Sequence, residues 1–317
     1  MMTSASLAAN ATTGGRSAAP KREAPMRPFA SAAAPVEPEF DDEALEVQRR
    51  AAKEARRIAQ REALRPIVLA VLPPLLGFAL FLGVWTLIAR ASPELPPPAK
   101  VWRSAVELFA DPFYRKGPND QGIGWNILNS LQRVGVGFGL AAAIGIPLGF
   151  VLGRFGFLNA MASPLISLLR PVSPLAWLPI GLLVFKAANP AAIWVIFISS
   201  IWPMIINTAV GVQRVPQDYL NVARVLNLSE WKVVTRILFP ATLPYVLTGV
   251  RLSIGVAWLV IVAAEMLTGG VGIGFWVWDE WNNLNVEHII IAIFVVGIVG
   301  LLLEQLLLLL ARRFNYA

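Results

Sequence analysis

From residue 67 onward apolar residues arrive in long runs, parted by short polar stretches rather than alternating with them. Apolar runs of roughly 18 residues or more mark membrane-crossing helices, because a helix satisfies its own backbone hydrogen bonds in hydrocarbon. The pattern predicts six spans, near 67–89, 126–153, 163–185, 190–211, 243–268 and 288–310. Residues 1–43 differ: they are rich in Ala, Ser, Thr and Pro, and Phe29 and Phe40 are their only aromatics. Such a stretch buries too little apolar surface to offset its ordering entropy, which predicts a disordered tail. Residues 44–66 are Ala/Glu/Arg-rich and predict a juxtamembrane helix with Glu46 and Arg50 as an i,i+4 pair, closed by Pro66. Residues 67–125 hold the first span and an outer linker with a short helix around Val101–Phe109, and residues 126–311 form the core. Ala89-Arg90-Ala91 has the look of a signal-peptidase site, but the long apolar run and the residues ahead of it predict an uncleaved anchor.

Composition agrees with the pattern. The chain has 317 residues, 56% hydrophobic and 15% charged, against about a quarter charged in soluble domains. It is expected to be a polytopic membrane protein. The absence of cysteine excludes disulfides and thiolate metal sites, and the single histidine, His288, argues against a histidine-ligated metal or a Ser-His-Asp triad. The net charge of +7 is read as topology rather than as affinity for nucleic acid. With the N-terminus inside, fourteen Lys and Arg fall in the juxtamembrane arm, inner loops and C-terminal end, and six fall outside. That asymmetry predicts both termini in the cytoplasm.

Within the spans, Gly137, Ala141, Gly145, Gly149 and Gly153 recur every four residues, a stripe that lets another helix backbone approach closely. The third span carries Pro164, Pro171, Pro174 and Pro179, so a straight helix is not expected there. Arg133, Arg251 and Glu265 lie at membrane depth, where a charge costs about 2.5–3.5 kcal/mol on insertion scales and normally faces protein or water. Arg251 and Glu265 are about 21 Å apart along one helix, too far to pair. Each therefore needs water or a partner on another helix. The three are candidates for lining a translocation pathway, with an interhelical ion pair as the alternative. Arg251, with Thr248 and Gly255 on its side, is the candidate that would make such a pathway favourable to anions. Phe275, Trp276, Trp278 and Trp281 read as an interfacial aromatic belt, with a short outer gating helix as the lesser reading.

The polar stretch 212–242, about 30 residues, is long for a helix connection and predicts structure of its own. Residues 217–227 suit a short helix with Asp218 near its N-terminus, and Leu220, Ala223, Leu226 and Asn227 on one side. Ser229 is placed to cap a second helix, and Pro240 and Pro244 punctuate the entry to the fifth span.

This segment resembles the cytoplasmic EAA loop of ATP-binding-cassette importer permeases, a pattern of Glu-Ala-Ala, a glycine, and a closing Ile-x-Leu-Pro. Asn221, Val222 and Ala223 take the Glu-Ala-Ala places and Asn227 takes the glycine place. Ile237, Phe239 and Pro240 take the closing places, with Phe for Leu. The resemblance runs through residues 125–311. Ser130-Leu131-Gln132-Arg133-Val134, Arg170-Pro171-Val172-Ser173-Pro174 and the run from Ile261 to Gly274 resemble the subfamily handling nitrate, nitrite, bicarbonate, sulfonates and taurine, nitrate permeases most of all.

The resemblance implies an all-α, type I importer permease (MetI-like) core in a bacterial inner membrane. It implies a second permease copy, ABC ATPase subunits and an extracytoplasmic substrate-binding protein as partners. Leu220, Asn221, Ala223, Leu226, Asn227 and Pro240 would then form the ATPase-coupling site. No cofactor is expected on this chain, since nothing matches the phosphate-cradling Gly-x-x-x-x-Gly-Lys-Ser/Thr loop; ATP and Mg belong to the ATPase. The expected cargo is a small anion, nitrate or nitrite first, with taurine or alkanesulfonate, bicarbonate and cyanate as alternatives. Rival readings are an ion-coupled secondary transporter with Glu265 as its proton site, and a non-transporting scaffold.

Overall fold

A computed structural model describes residues 42–314; of the disordered tail expected over residues 1–43, residues 1–41 lie outside the described residues, and Asp42 and Glu43 are already helical. Apart from an isolated β-bridge between Arg115 and Gln121, the described residues form helices and their connections. In chain order these are α1 (Asp42–Ala91), α2 (Pro98–Leu108), α3 (Ile123–Arg154), α4 (Gly156–Leu169), α5 (Leu178–Phe185), α6 (Ala188–Gln213), α7 (Gln217–Val225), α8 (Glu230–Val233), α9 (Phe239–Thr268), α10 (Ile273–Asn282) and α11 (Val286–Phe314).

The chain divides into two units, one ending at Leu72 and one beginning at Pro73. In the first, helix starts at Asp42, and Glu46 accepts from Arg50 at 3.2 Å, the i,i+4 pair that the spacing predicts. Pro66 does not close the segment as expected, because α1 continues through it. A proline inside a helix removes one N–H bond, and apolar membrane segments tolerate that loss.

In the second unit α6 is the central helix. Its line of contact with α3 is the small-residue stripe. A Cβ on Gly137 would stand 2.8 Å from Ile196, one on Gly149 2.5 Å from Thr208, and one on Gly153 2.6 Å from Val212. Residue numbers rise together along both helices, so α3 and α6 run parallel. On its other side α6 meets α9, with Gly249 against the Pro203 carbonyl and Gly211 against Tyr245. Those pairs run in opposite order, so α9 is antiparallel. Ser253 of α9 donates to the Ser200 carbonyl of α6 at 2.7 Å, and Trp258 donates to Val296 of α11 at 2.9 Å. The bundle therefore has one end carrying α7 and another carrying α10.

Among the described residues, five helices are long and apolar enough to cross a membrane, and six spans result if a bent pair counts as one. The bent pair is the proline-rich third segment: α4 and the stretch Pro174–Phe185 meet at 97°. Pro171 and Pro174 fall at that break, where a missing N–H and a crowded ring stop the α4 helix. At the fifth span the expected loop is instead helical. Residues Glu230–Thr268 form one path whose π-turn, Val234–Leu238, ends two residues before Pro240. A π-turn forgoes the i→i+4 bond that Pro240 cannot make, so the proline enters without breaking the helix.

The stripe yields a graded expectation. Gly149→Val forces a side chain into the Thr208 contact and should cost about 1–3 kcal/mol by overpacking, seen as a lower Tm of the detergent-purified chain. Gly139→Ala, which faces open space, should leave Tm unchanged or slightly raised, since alanine is the better helix former. Equal Tm values for the two variants would refute the close-packed seam.

Candidate functional site

At the α10 end, a buried polar cluster joins four helices. Glu265 lies in the last turn of α9, 1% exposed. Gly269 and Gly270 follow with φ of 76° and 91°, left-handed conformations that glycine adopts without steric cost. They turn the chain back so that the first amides of α10 lie over the Glu265 carboxylate. Gly274 N–H donates to Glu265 Oε2 at 3.0 Å, Gly272 N–H to Asn126 Oδ1 at 2.9 Å, and Ile273 N–H to Ser130 Oγ at 2.9 Å. Ser130 Oγ lies 2.7 and 2.8 Å from the two carboxylate oxygens and donates its one proton to them. Arg133 Nη1 donates to Glu265 Oε1 at 2.5 Å, and its Nε donates to Asn189 Oδ1 of α6 at 2.7 Å. The orphan amides of a helix start are thus met by a carboxylate and its neighbours, which also suits the positive end of the helix dipole. A Cβ on Gly272 would run into the Glu265 carboxylate, and one on Gly274 into the Val262 carbonyl. Two glycines are needed there for close approach.

Arg133 and Glu265, singled out separately in the sequence, are partners across helices. Asn126 and Asn189 were not singled out, and Ser130, Gly272 and Gly274 entered only within stretches that carry the family resemblance. The available signal was the polar series Asn126, Ser130, Arg133 at i, i+4, i+7 on one face of an apolar helix. The aromatic run beyond is the short helix α10, with Trp276 buried and Trp278 and Trp281 exposed. His288 stacks on Trp276 and its Nδ1 lies 3.1 Å from Glu280. No cluster of three or more metal-ligating side chains occurs among the described residues.

Arg251 also has a partner on another helix, Glu304 of α11. Thr248 and Gly255 line the same cavity, about 590 Å³ in volume. The Thr248 hydroxyl, however, donates to the Pro244 carbonyl at 2.8 Å. A carboxylate in contact with the guanidinium cancels most of its field at a distance.

At the α7 end, Ala223 is buried, 2% exposed, in a core with Phe150, Val212, Val233, Leu238 and Val246, and Leu220 packs against that core. The side expected to meet an ATPase was that of Leu220, Ala223, Leu226 and Asn227; the structure turns Leu220 and Ala223 into the chain's own bundle and leaves Leu226 exposed. The opposite side presents Val222 and Val225, flanked by Tyr219 and Leu226, all exposed. Asn227 has φ 50°. Its N–H donates to the Arg224 carbonyl at 3.0 Å, and Leu228 N–H to Ala223 at 3.0 Å. These two bonds make a Schellman end, whose C′ position requires a left-handed residue, glycine first and asparagine next. Asn227 therefore does the geometric work of the glycine it replaces. Asn221, in the glutamate place, accepts from Arg224 at 3.2 Å. Ser229 stands at the N-cap of α8 without a side-chain cap bond, contrary to expectation. Arg154 at the end of α3 grips Glu230 through two bonds of 2.9 and 3.2 Å, fastening the α7–α8 segment to the bundle.

Residues 145–316 match the family described as binding-protein-dependent transport system inner membrane component. Over 242 residues the chain is 50% identical to the nitrate import permease protein NrtB of Leptolyngbya laminosa, covering 76% of this chain and 87% of that one. It is 46% identical over 239 residues to the bicarbonate transport system permease protein CmpB of Synechocystis sp., covering 74% and 85%. In fold it is similar to a chain of the inward-facing MetNI methionine ABC transporter, with TM-score 0.54 and 14% identity over 60% of this chain and 94% of that one.

The cluster around Glu265 makes a stability prediction. Glu265→Gln removes the charge that holds Arg133 and sets an amide against N–H donors; breaking a buried pair in this way costs about 3–5 kcal/mol. Folded yield and Tm should both fall, and Gly272→Ala should produce the same defect by steric displacement of the carboxylate. A Glu265→Gln chain with unchanged Tm would show that the cluster is not structural.

Proposed function

This chain belongs to the inner membrane components of binding-protein-dependent transport systems, and from that membership we propose that it forms the membrane passage of an ATP-driven importer for a small inorganic anion, nitrate foremost. The observation that carries the coupling is α7. It is an amphipathic helix whose inner side belongs to the bundle core and whose outer side exposes Tyr219, Val222, Val225 and Leu226. Apolar side chains exposed together at the end of a membrane bundle are suited to dock in a groove. The occupant of the other side of that contact is the ATPase subunit, since this sequence carries no phosphate-cradling loop.

Force applied to α7 has a physical route into the bundle. Ala223 packs among residues of α3, α6 and α9, and the Arg154–Glu230 grip binds the α8 segment to α3. A displaced α7 therefore displaces three helices together, as packed cores move between discrete arrangements rather than deforming. The coupling set becomes Tyr219, Val222, Val225 and Leu226 outside, with Asn221, Asn227 and Pro240 shaping the segment. The α7 end is cytoplasmic in this reading, supported by the Lys and Arg asymmetry of the sequence. A second permease copy, an extracytoplasmic binding protein and the inner membrane of a bacterium complete the assembly.

Nitrate is supported by the identity to nitrate import permeases, and bicarbonate is kept as the second cargo by the identity to bicarbonate permeases. Arg133 and Glu265 act in this reading as a fastening of α10, and Arg251 with Glu304 as a fastening of α9 to α11.

Val225 is 82% exposed, so Val225→Asp should leave the bundle stable while placing a charge in the docking contact, which costs several kcal/mol if unpaired. ATPase co-purification should fall at least tenfold at unchanged membrane yield. Full co-purification would count against docking through this side. For the cargo, the complex reconstituted in liposomes with its ATPase and binding protein should take up labelled nitrate when ATP is supplied, with competition by nitrate stronger than by bicarbonate or taurine. Uptake driven by an ion gradient without ATP would refute the proposed coupling.

A further inference from the structure

One cation at membrane depth has no anionic partner among the described residues: Arg170, at the break after α4. Arg133 and Arg251 are paired with Glu265 and Glu304, whereas Arg170 enters none of the ion pairs found. It lines a cavity of about 580 Å³ between α4 and α6, together with Asn159, Ser163, Ser167 and Gln213. Asn159, Ser163, Ser167 and Arg170 are spaced four, four and three residues apart, which puts them on one face of an otherwise apolar helix. Ser163, Ser167 and Arg170 are exposed residues of the isolated chain. Polar and charged groups exposed on a membrane helix face water or protein, not lipid.

The cavity has a direction. Gln213 is in the last turn of α6, next to α7, while Arg170 lies about 21 Å along α4 from its start beside Arg154, at the standard helical rise. Hydroxyls and an amide thus lead from the α7 end to an uncompensated positive charge. A water's share of volume is about 30 Å³, so the space admits a small oxyanion with part of its hydration shell. Serine hydroxyls and a guanidinium all donate to oxyanions, and Arg170 has no carboxylate to compete for it.

We propose that this cavity is an anion transit site, in which Arg170 attracts the transported oxyanion while Ser163 and Ser167 replace part of its hydration shell. The inference rests on the transport reading above and deepens it by naming the residues that favour an anion. It assigns that role to Arg170 in place of Arg251, because the field of Arg251 is offset by Glu304. A transit site needs weak, partly hydrated contacts so that the anion leaves again; a wide cavity with one charge meets that need.

The chain has no cysteine, so single cysteines report on the cavity cleanly. In the assembled complex Ser167→Cys should react with an anionic thiosulfonate reagent several-fold faster than with its cationic counterpart. Leu168→Cys, one residue round the helix and outside the cavity, should react more slowly with both. Arg170→Gln added to Ser167→Cys should abolish the anionic preference, since the two positions are one turn apart. In reconstituted liposomes Arg170→Gln should lower nitrate uptake at least tenfold with the ATPase still bound, and Arg170→Lys should recover part of it. Equal rates for the two reagents at position 167, or nitrate uptake by Arg170→Gln within twofold of the unmodified complex, would overturn the proposal. A complex that takes up no nitrate at all would count against the transport reading alone; the reagent preference at position 167 then still decides whether the cavity selects anions.

Discussion

Because four glycines and one alanine bring the backbone of α3 against α6, α6 becomes the helix around which the others are arranged. In hydrocarbon, helices gain little from burying apolar surface against each other, so close van der Waals contact must supply the association. The contact of Gly149 with Thr208 and of Gly153 with Val212 fixes register as well as distance. With α3 and α6 set in parallel and α9 antiparallel, the two ends of the bundle acquire different contents. One receives the turn and helix that follow α9, and the other receives α7 and α8.

The two ends satisfy their irregular backbone differently: side chains from the spans do so at one, and the backbone itself does so at the other. At the α10 end Glu265, Ser130 and Asn126 receive three successive amides. At the α7 end the Schellman turn at Asn227 closes the helix on itself, and Arg154 holds Glu230. The charges at membrane depth sort accordingly. Two arginines pair with carboxylates from neighbouring helices and hold elements in place, whereas Arg170 enters no ion pair among the described residues and lines the cavity between α4 and α6.

Much of this was legible in the chain. Apolar runs, the four-residue small stripe and the crowded prolines of the third segment each express a local or one-helix rule, so the spans, a close-packing face on α3 and a departure from straight helix in the third segment could be read without coordinates, whereas the 97° angle could not. The short helix of the 212–242 segment was legible too, but it was read over residues 217–227, and the structure ends it at Val225 with Asn227 in a left-handed turn. The expectation that Pro66 ends a helix failed, since one lost N–H does not outweigh the remaining bonds of a long helix.

What the sequence by itself determined was therefore the apolar spans, their order and the segment outside them that resembles a coupling loop. Which face of each helix meets which partner was decided only by the tertiary structure. Periodicity identifies a shared side but not what lies against it, and for that reason Ala223 belongs to the core while Val225 faces outward. Charge pairing is the sharper case. Arg133 and Glu265 stand 132 residues apart and Arg251 and Glu304 stand 53 apart. No local pattern can say that one arginine will find a carboxylate and another will not, because that depends on which helices become neighbours.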